Sequence, residues 1–203
     1  MRKIFLLSIL SFTLVFSPLA ASAHKFVLEP DSFTAPQSGK AGVLQTFTEI
    51  IGAAEYSRYG TSFVYQTMTA PVEVVYKDGA RSSIDADFEP YDHKTKSKVA
   101  PEASDSDYAQ FDITRPGTVV INGKFTGTLK EEYGGGTSYS HIKTFLNLTN
   151  DGMATRRFGD DNVIEVVFAE EVPADGIKEG NVIKFRFYHK GAPLKNAPVF
   201  ASY

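Results

Sequence analysis

Short β-branched and aromatic runs, each closed by turn residues, make up most of this chain and leave little room for anything but antiparallel sheet. The runs occupy Val43 to Ile51, Ser62 to Thr67, Val72 to Tyr76, Tyr108 to Ile113, Val119 to Phe125 and His141 to Leu148. Residues stiff at χ1 or carrying a flat ring pack well on a pleated surface. In two further segments Ile164, Val166 and Phe168 alternate with Glu165 and Val167, and Ile183, Phe185 and Phe187 with Lys184, Arg186 and Tyr188. That period of two is the signature of half-buried strands. Lys77-Asp78-Gly79, Arg115-Pro116-Gly117, Asn122-Gly123 and Asn150-Asp151-Gly152 supply the residues that tight turns need, so each is expected to reverse the chain. No long stretch has helical spacing with caps, and Ile50 to Ser57 offers one short helical turn at most. Lys94 to Asp107 and Lys130 to Ser140, the latter with Gly134-Gly135-Gly136, read as loops. The expected fold is all-β: an immunoglobulin-like antiparallel β-sandwich.

The first residues carry an address. Arg2 and Lys3 precede an apolar run from Ile4 to Leu19, and Ala21-Ser22-Ala23 provides the small residues that a signal peptidase reads. Residues 1–23 are therefore expected to be a signal peptide, leaving a mature chain that starts at His24 and does not itself span the membrane. Residues 24–172 are expected to form the sandwich. Residues 173–203, introduced by Pro173-Ala174-Asp175-Gly176, are too few for an immunoglobulin-like domain of roughly 100 residues. They are expected either to complete the first sandwich or to begin a second β module.

Composition narrows the chemistry. The chain of 203 residues has 21 Lys plus Arg against 24 Asp plus Glu, so no basic excess exists to neutralise a phosphate backbone, and nucleic acid is not an expected partner. It has no Cys, which excludes disulfides, thiolate metal sites and thiol nucleophiles. Gly134-Gly135-Gly136 lacks the Lys and Ser or Thr of a phosphate loop, and no hydrolase nucleophile turn appears, so the chain is not expected to be an enzyme.

Four histidines remain: His24, His93, His141 and His189. Once the signal is removed, the α-amine and imidazole Nδ1 of His24 can close a six-membered chelate on one metal ion. The amine loses its proton near a pKa of about 7.7 to 8, so a metal displaces it near neutral pH. Such nitrogen donors suit nickel, cobalt, copper and zinc. His141 is the best second ligand, because a strand with Ile142, Leu146 and Leu148 inward turns it outward beside Lys143 at the mouth of the glycine-rich loop. His93 reads as a surface residue, and His189 as structural or exposed. Glu29, Asp31 and Glu55 are carboxylates without diagnostic spacing, and Asn147-Leu148-Thr149 fits a glycosylation sequon inside a strand.

The ends of the expected mature chain resemble a known family. Ala23-His24-Lys25-Phe26-Val27-Leu28-Glu29-Pro30 is similar to the start that follows the signal peptide in a family of periplasmic nickel or cobalt transport components, also labelled a domain of unknown function. Lys25 and Val27 stand where that family often has Asp and Trp. Arg115 to Val119, His141 to Phe145 and Gly180 to Val199, with its Gly191 to Val199 run, resemble three further motifs of the same family, whose members usually continue into a second β module. The resemblance implies a periplasmic protein that captures a divalent transition metal for a membrane uptake permease, with nickel or cobalt as cargo and His24 and His141 as ligands. A non-catalytic interaction module that holds a glycan or a protein partner through Tyr56, Tyr59, Tyr133 and Tyr139 is the alternative.

Overall fold

The computed structural model describes residues 24–35, 39–49, 55–56, 65–158 and 164–195. The expected signal peptide, the end of the motif that closes at Val199 and most of the segment around Ile50 to Ser57 lie outside them. Among the described residues there is no α-helix, and hence none long and apolar enough to cross a membrane. The protein is an antiparallel β-sandwich with a smaller third sheet laid against it.

Two strands of eleven residues organise the sandwich. β1 (His24–Pro30) pairs along one side of β2 (Gly39–Glu49), with His24 opposite Glu49 and Pro30 opposite Val43. The other side of β2 is shared by β3 (Glu55–Tyr56) and β9 (Ser106–Ile113). β7 (Glu89–Asp92) and β8 (Ser97–Lys98) extend this first sheet beyond β9. In the second sheet β10 (Val119–Leu129) takes β11 (Thr137–Leu146) on one side. Its other side is shared by β4 (Tyr65–Thr69) and β5 (Val72–Val75), and β6 (Arg81–Ser83) lies outside β5.

In both sheets of the sandwich, alternate residues of the strands face a shared interior. Phe26 and Leu28, Val43 and Phe47, and Ala109, Phe111 and Ile113 face Val72 and Val74, Val119, Ile121 and Phe125, and Leu146 across one continuous core. At its centre Phe26 and Phe47 stack at 5.2 Å between ring centroids, and Phe125 meets Phe47 edge-on at 5.5 Å and Tyr65 at 5.1 Å. Aromatic pairs in these geometries add about 0.5–1.5 kcal/mol beyond the area they bury.

Several local expectations are corrected, among them the loops read at Lys94 to Asp107 and Lys130 to Ser140, which contain β8 and the first residues of β9 and β11. Asn122-Gly123 is not a turn; β10 runs straight through it. Asn122 is fully buried and hydrogen-bonded on one side of the strand, and a Cβ at Gly123 would lie 2.6 Å from Leu28 Cδ1 and 2.8 Å from Phe26 Cε1. The glycine is there to let β1 close on β10. The region around Ile50 to Ser57 contains no helix where it is described, since Glu55 and Tyr56 pair with β2.

The third sheet joins β12 (Ile164–Phe168), β13 (Phe185–His189) and β14 (Ala192–Pro193), so its strands come from both sides of Pro173. It lies against the outer face of the second sheet. There Val75 and Val120 pack with Met153 and Phe158, and Phe145 on β11 meets Phe168 on β12 edge-on at 5.7 Å.

Candidate functional site

On β11 the residues Ile142, Thr144 and Leu146 turn toward the sandwich, which leaves His141, Lys143 and Phe145 on the outer face. His141 Nε2 lies 2.5 Å from Oδ1 of the buried Asn122 on β10. Asn122 Nδ2 donates to Glu73 Oε1 on β5 at 2.8 Å, and the same oxygen accepts from Arg81 Nη1 on β6, also at 2.8 Å. One row of polar side chains therefore crosses four strands, with the imidazole at one end and a part-exposed ion pair at the other.

One register step along, Lys143 Nζ donates to Glu165 Oε1 of β12 at 2.6 Å. Glu165 also accepts from the Phe158 N–H at 2.5 Å, and Arg157 Nε stands 3.4 Å from its second oxygen. Burial holds the Lys143 ammonium below the usual lysine range, and Glu165 pulls in the opposite direction. Between β11 and the third sheet lies a cleft of about 280 Å³ lined by His141, Lys143, Phe145, Val166, Phe168 and Phe185.

His24 opens β1, and its side chain lies outside the described residues. The course of the strand is clear. Thr144 Oγ1 donates to the Leu28 carbonyl at 2.8 Å, and further on the Asn147 N–H donates to the Phe33 carbonyl at 2.9 Å. β1 thus runs beside β11 in the same direction, and its first residues lead toward the half of β11 that holds His141. The other histidines are placed differently. His93 is tied to Asp105, its N–H donating to Oδ1 at 2.9 Å and its Nδ1 lying 3.1 Å from Oδ2, while His189 is exposed at the end of β13. Among the described residues no group of three or more His, Asp or Glu side chains is gathered to hold a metal ion.

Residues 21–203 match the model of a family described as Domain of unknown function (DUF4198). The chain belongs to that family. No curated protein and no solved structure matches it.

The DUF4198 fold also shows what sequence reasoning missed. Of the four tyrosines expected to serve a partner, Tyr139 is half exposed, and the side chains of Tyr56, Tyr59 and Tyr133 lie outside the described residues. A different pair stands on the outer face of the first sheet: Tyr91 on β7 stacks on Tyr108 on β9 at 5.0 Å. Tyr108 Oη donates to Asp31 Oδ2 at 2.6 Å above Gly42, and the pair borders a groove of about 250 Å³ that Glu29, His93 and Lys96 also line. The signal was available. With Ala109, Phe111 and Ile113 inward, Tyr108 must face out. Asn147, by contrast, offers no attachment point for a glycan: its Oδ1 accepts the Ala35 N–H at 2.9 Å and its Nδ2 is enclosed by protein.

Proposed function

We propose that this chain is an exported periplasmic binding protein, not an enzyme, that captures a divalent transition metal and passes it to a membrane uptake permease. Nickel or cobalt is the cargo, His24 and His141 are the ligands, and removal of residues 1–23 creates the N-terminal chelate. The observation that carries the reading is the setting of His141. Its imidazole, carried on the edge strand β11, is anchored to a buried amide of β10, and the strand that begins with His24 runs alongside. A histidine ligand works best when its second nitrogen is fixed by a partner of its own, and loss of such a partner commonly costs 10- to 100-fold in affinity.

The donors are neutral or deprotonated nitrogens, a set that also takes copper and zinc, so relative affinity alone does not identify the cargo. The test is calorimetric titration of the processed protein with nickel, cobalt, copper and zinc, beside a copy with one residue added before His24. Stoichiometric binding that is lost in the extended copy and in His141→Gln supports the reading. Equal binding by all three forms, or binding by none, overturns it.

The Tyr91–Tyr108 groove favours a second reading, in which the chain is a non-catalytic interaction module for a glycan or a protein. Under that reading Tyr91→Ala abolishes partner binding and histidine substitutions leave it unchanged.

A further inference from the structure

The groove beside Tyr91 and Tyr108 lies on the outer face of the first sheet, where the strand register builds a row. Glu29 on β1 stands opposite Leu44 on β2, Leu44 opposite Tyr108 on β9, and Tyr108 opposite Glu89 on β7. Residues opposite one another in a sheet share a face, so the row crosses four strands. Gly42 gives the Tyr108 ring its place: a Cβ there would lie 2.6 Å from Tyr108 Cζ and would overlap its Oη. The hydrogen bond to Asp31 Oδ2 pins the ring, and Tyr91 stacks on it with 27° between the planes. The aromatic surface is therefore set before any ligand arrives, which spares the ordering cost of binding.

The Glu29 carboxylate, the Lys96 ammonium and the Tyr91 hydroxyl border this groove of about 250 Å³ and make no hydrogen bond or ion pair with other described residues. Lys96 ends the turn between β7 and β8 at φ 53°, where a glycine would serve without steric cost. An anion in the groove would face Glu29 and Asp31, and a cation would face Lys96. A neutral ligand rich in hydroxyls suits both signs, since a hydroxyl donates to a carboxylate and accepts from an ammonium. The ring pair suits the apolar C–H face of such a ligand. A protein partner fits less well, because Glu89 and Asp112 stand on this face too and the centres of protein interfaces are depleted in charge. Deepening the interaction-module reading above, on which the step rests, we infer that this groove binds a neutral saccharide. One sugar ring lies against Tyr91 and Tyr108, and its hydroxyls are shared among Glu29, Asp31 and Lys96.

The test is titration of the ¹⁵N-labelled processed protein with soluble tetrasaccharides of glucose, mannose, galactose and N-acetylglucosamine, followed at the amide signals of Leu44, Tyr91 and Tyr108. Tetragalacturonate and the glucosamine tetramer serve as anionic and cationic probes. At least one neutral probe is expected to shift those signals saturably, with an affinity unchanged between about 0.1 and 1 M salt. Tyr91→Ala is expected to weaken that binding about 10-fold. Lys96→Met is expected to weaken it about 5-fold, and Tyr91→Phe, which keeps the ring, less than Tyr91→Ala. Tyr91 is half-buried and Lys96 exposed, so the variants are expected to fold, and a native-like amide spectrum checks that. No neutral probe bound, binding undiminished in Tyr91→Ala, or binding of the charged probes alone overturns the inference. The interaction-module reading stands or falls separately. A partner protein that cross-links through Lys96 in the wild type and not in Tyr91→Ala, with no saccharide bound, overturns the saccharide and leaves the module standing. Neither saccharide nor protein bound overturns both.

Discussion

Lys143 and Glu165 form an ion pair whose side chains are only 7% and 1% exposed, and this contact decides which face of β12 is buried. By hydropathy alone Ile164, Val166 and Phe168 should turn inward and Glu165 outward. The structure does the reverse: Ile164 and Val166 are exposed, while Glu165 and Val167 are buried. Among the described residues, Lys143 Nζ, Arg157 Nε and the Phe158 N–H donate to the carboxylate, and the ammonium also sits 4.5 Å from the centre of the Phe158 ring. A charge so supported can occupy an interior that would exclude it alone.

The two halves of the pair are not equivalent. Glu165→Ala strands the Lys143 ammonium and the Phe158 N–H together, and is expected to cost about 3–5 kcal/mol. Lys143→Met leaves Glu165 with Arg157 and the Phe158 N–H, so it is expected to cost clearly less. Urea denaturation of the two variants checks the order. Equal losses would show that the arginine and the amide contribute nothing to holding the carboxylate.

The sandwich was legible because its strands obey a single rule. In Tyr108 to Ile113 the alternating residues Ala109, Phe111 and Ile113 reach the core as hydropathy dictates, and the outward direction of His141 follows from the inward Ile142 and Leu146. The rest was hidden by distance along the chain or by rival meanings of one motif. Asn122-Gly123 has the composition of a hairpin turn, and only the approach of Phe26 and Leu28 shows why a central strand needs the glycine. Asn122 meets Glu73 from 49 positions away and His141 from 19, partners that exist only once the strand register is set. Glu165 read as a solvent-facing residue because its counter-ion belongs to another sheet.

Gly123→Ala tests that close approach directly. The added methyl would meet Leu28 Cδ1 at 2.6 Å and Phe26 Cε1 at 2.8 Å, inside a core whose rings are already stacked. Overpacking of this kind costs about 1–3 kcal/mol. Thermal denaturation is expected to show the loss, and its partial recovery in Gly123→Ala/Leu28→Val would assign it to the contact with β1. A loss unchanged by the second substitution would place the strain elsewhere.

Phe47→Ala should be among the most damaging core substitutions. Phe47 is 1% exposed and contacts both Phe26 and Phe125, so its removal opens a cavity that rings on both sheets line. The expected cost is about 3–5 kcal/mol, read as a lower denaturation midpoint. A loss below about 1 kcal/mol would mean that the two sheets do not depend on this cluster to stay together.

Tyr108 gives the fold an alkaline limit with a defined sign. Burial, then the hydrogen bond to Asp31 and its negative charge, raise the phenol above its ordinary value of 10.0. The native state keeps this proton at pH values where the unfolded chain has lost it. The contribution of Tyr108 is therefore fully present below about pH 10 and is lost as pH rises through the folded value. Tyr108→Phe removes the group that titrates, so its stability should fall less steeply than that of the wild type from pH 9.5 to 11.5. Asp31→Asn removes the charge but leaves an acceptor and should lie between the two. Denaturation midpoints measured across that range decide the matter: parallel curves for wild type and Tyr108→Phe would show that the phenol ionises alike in the folded and unfolded chain.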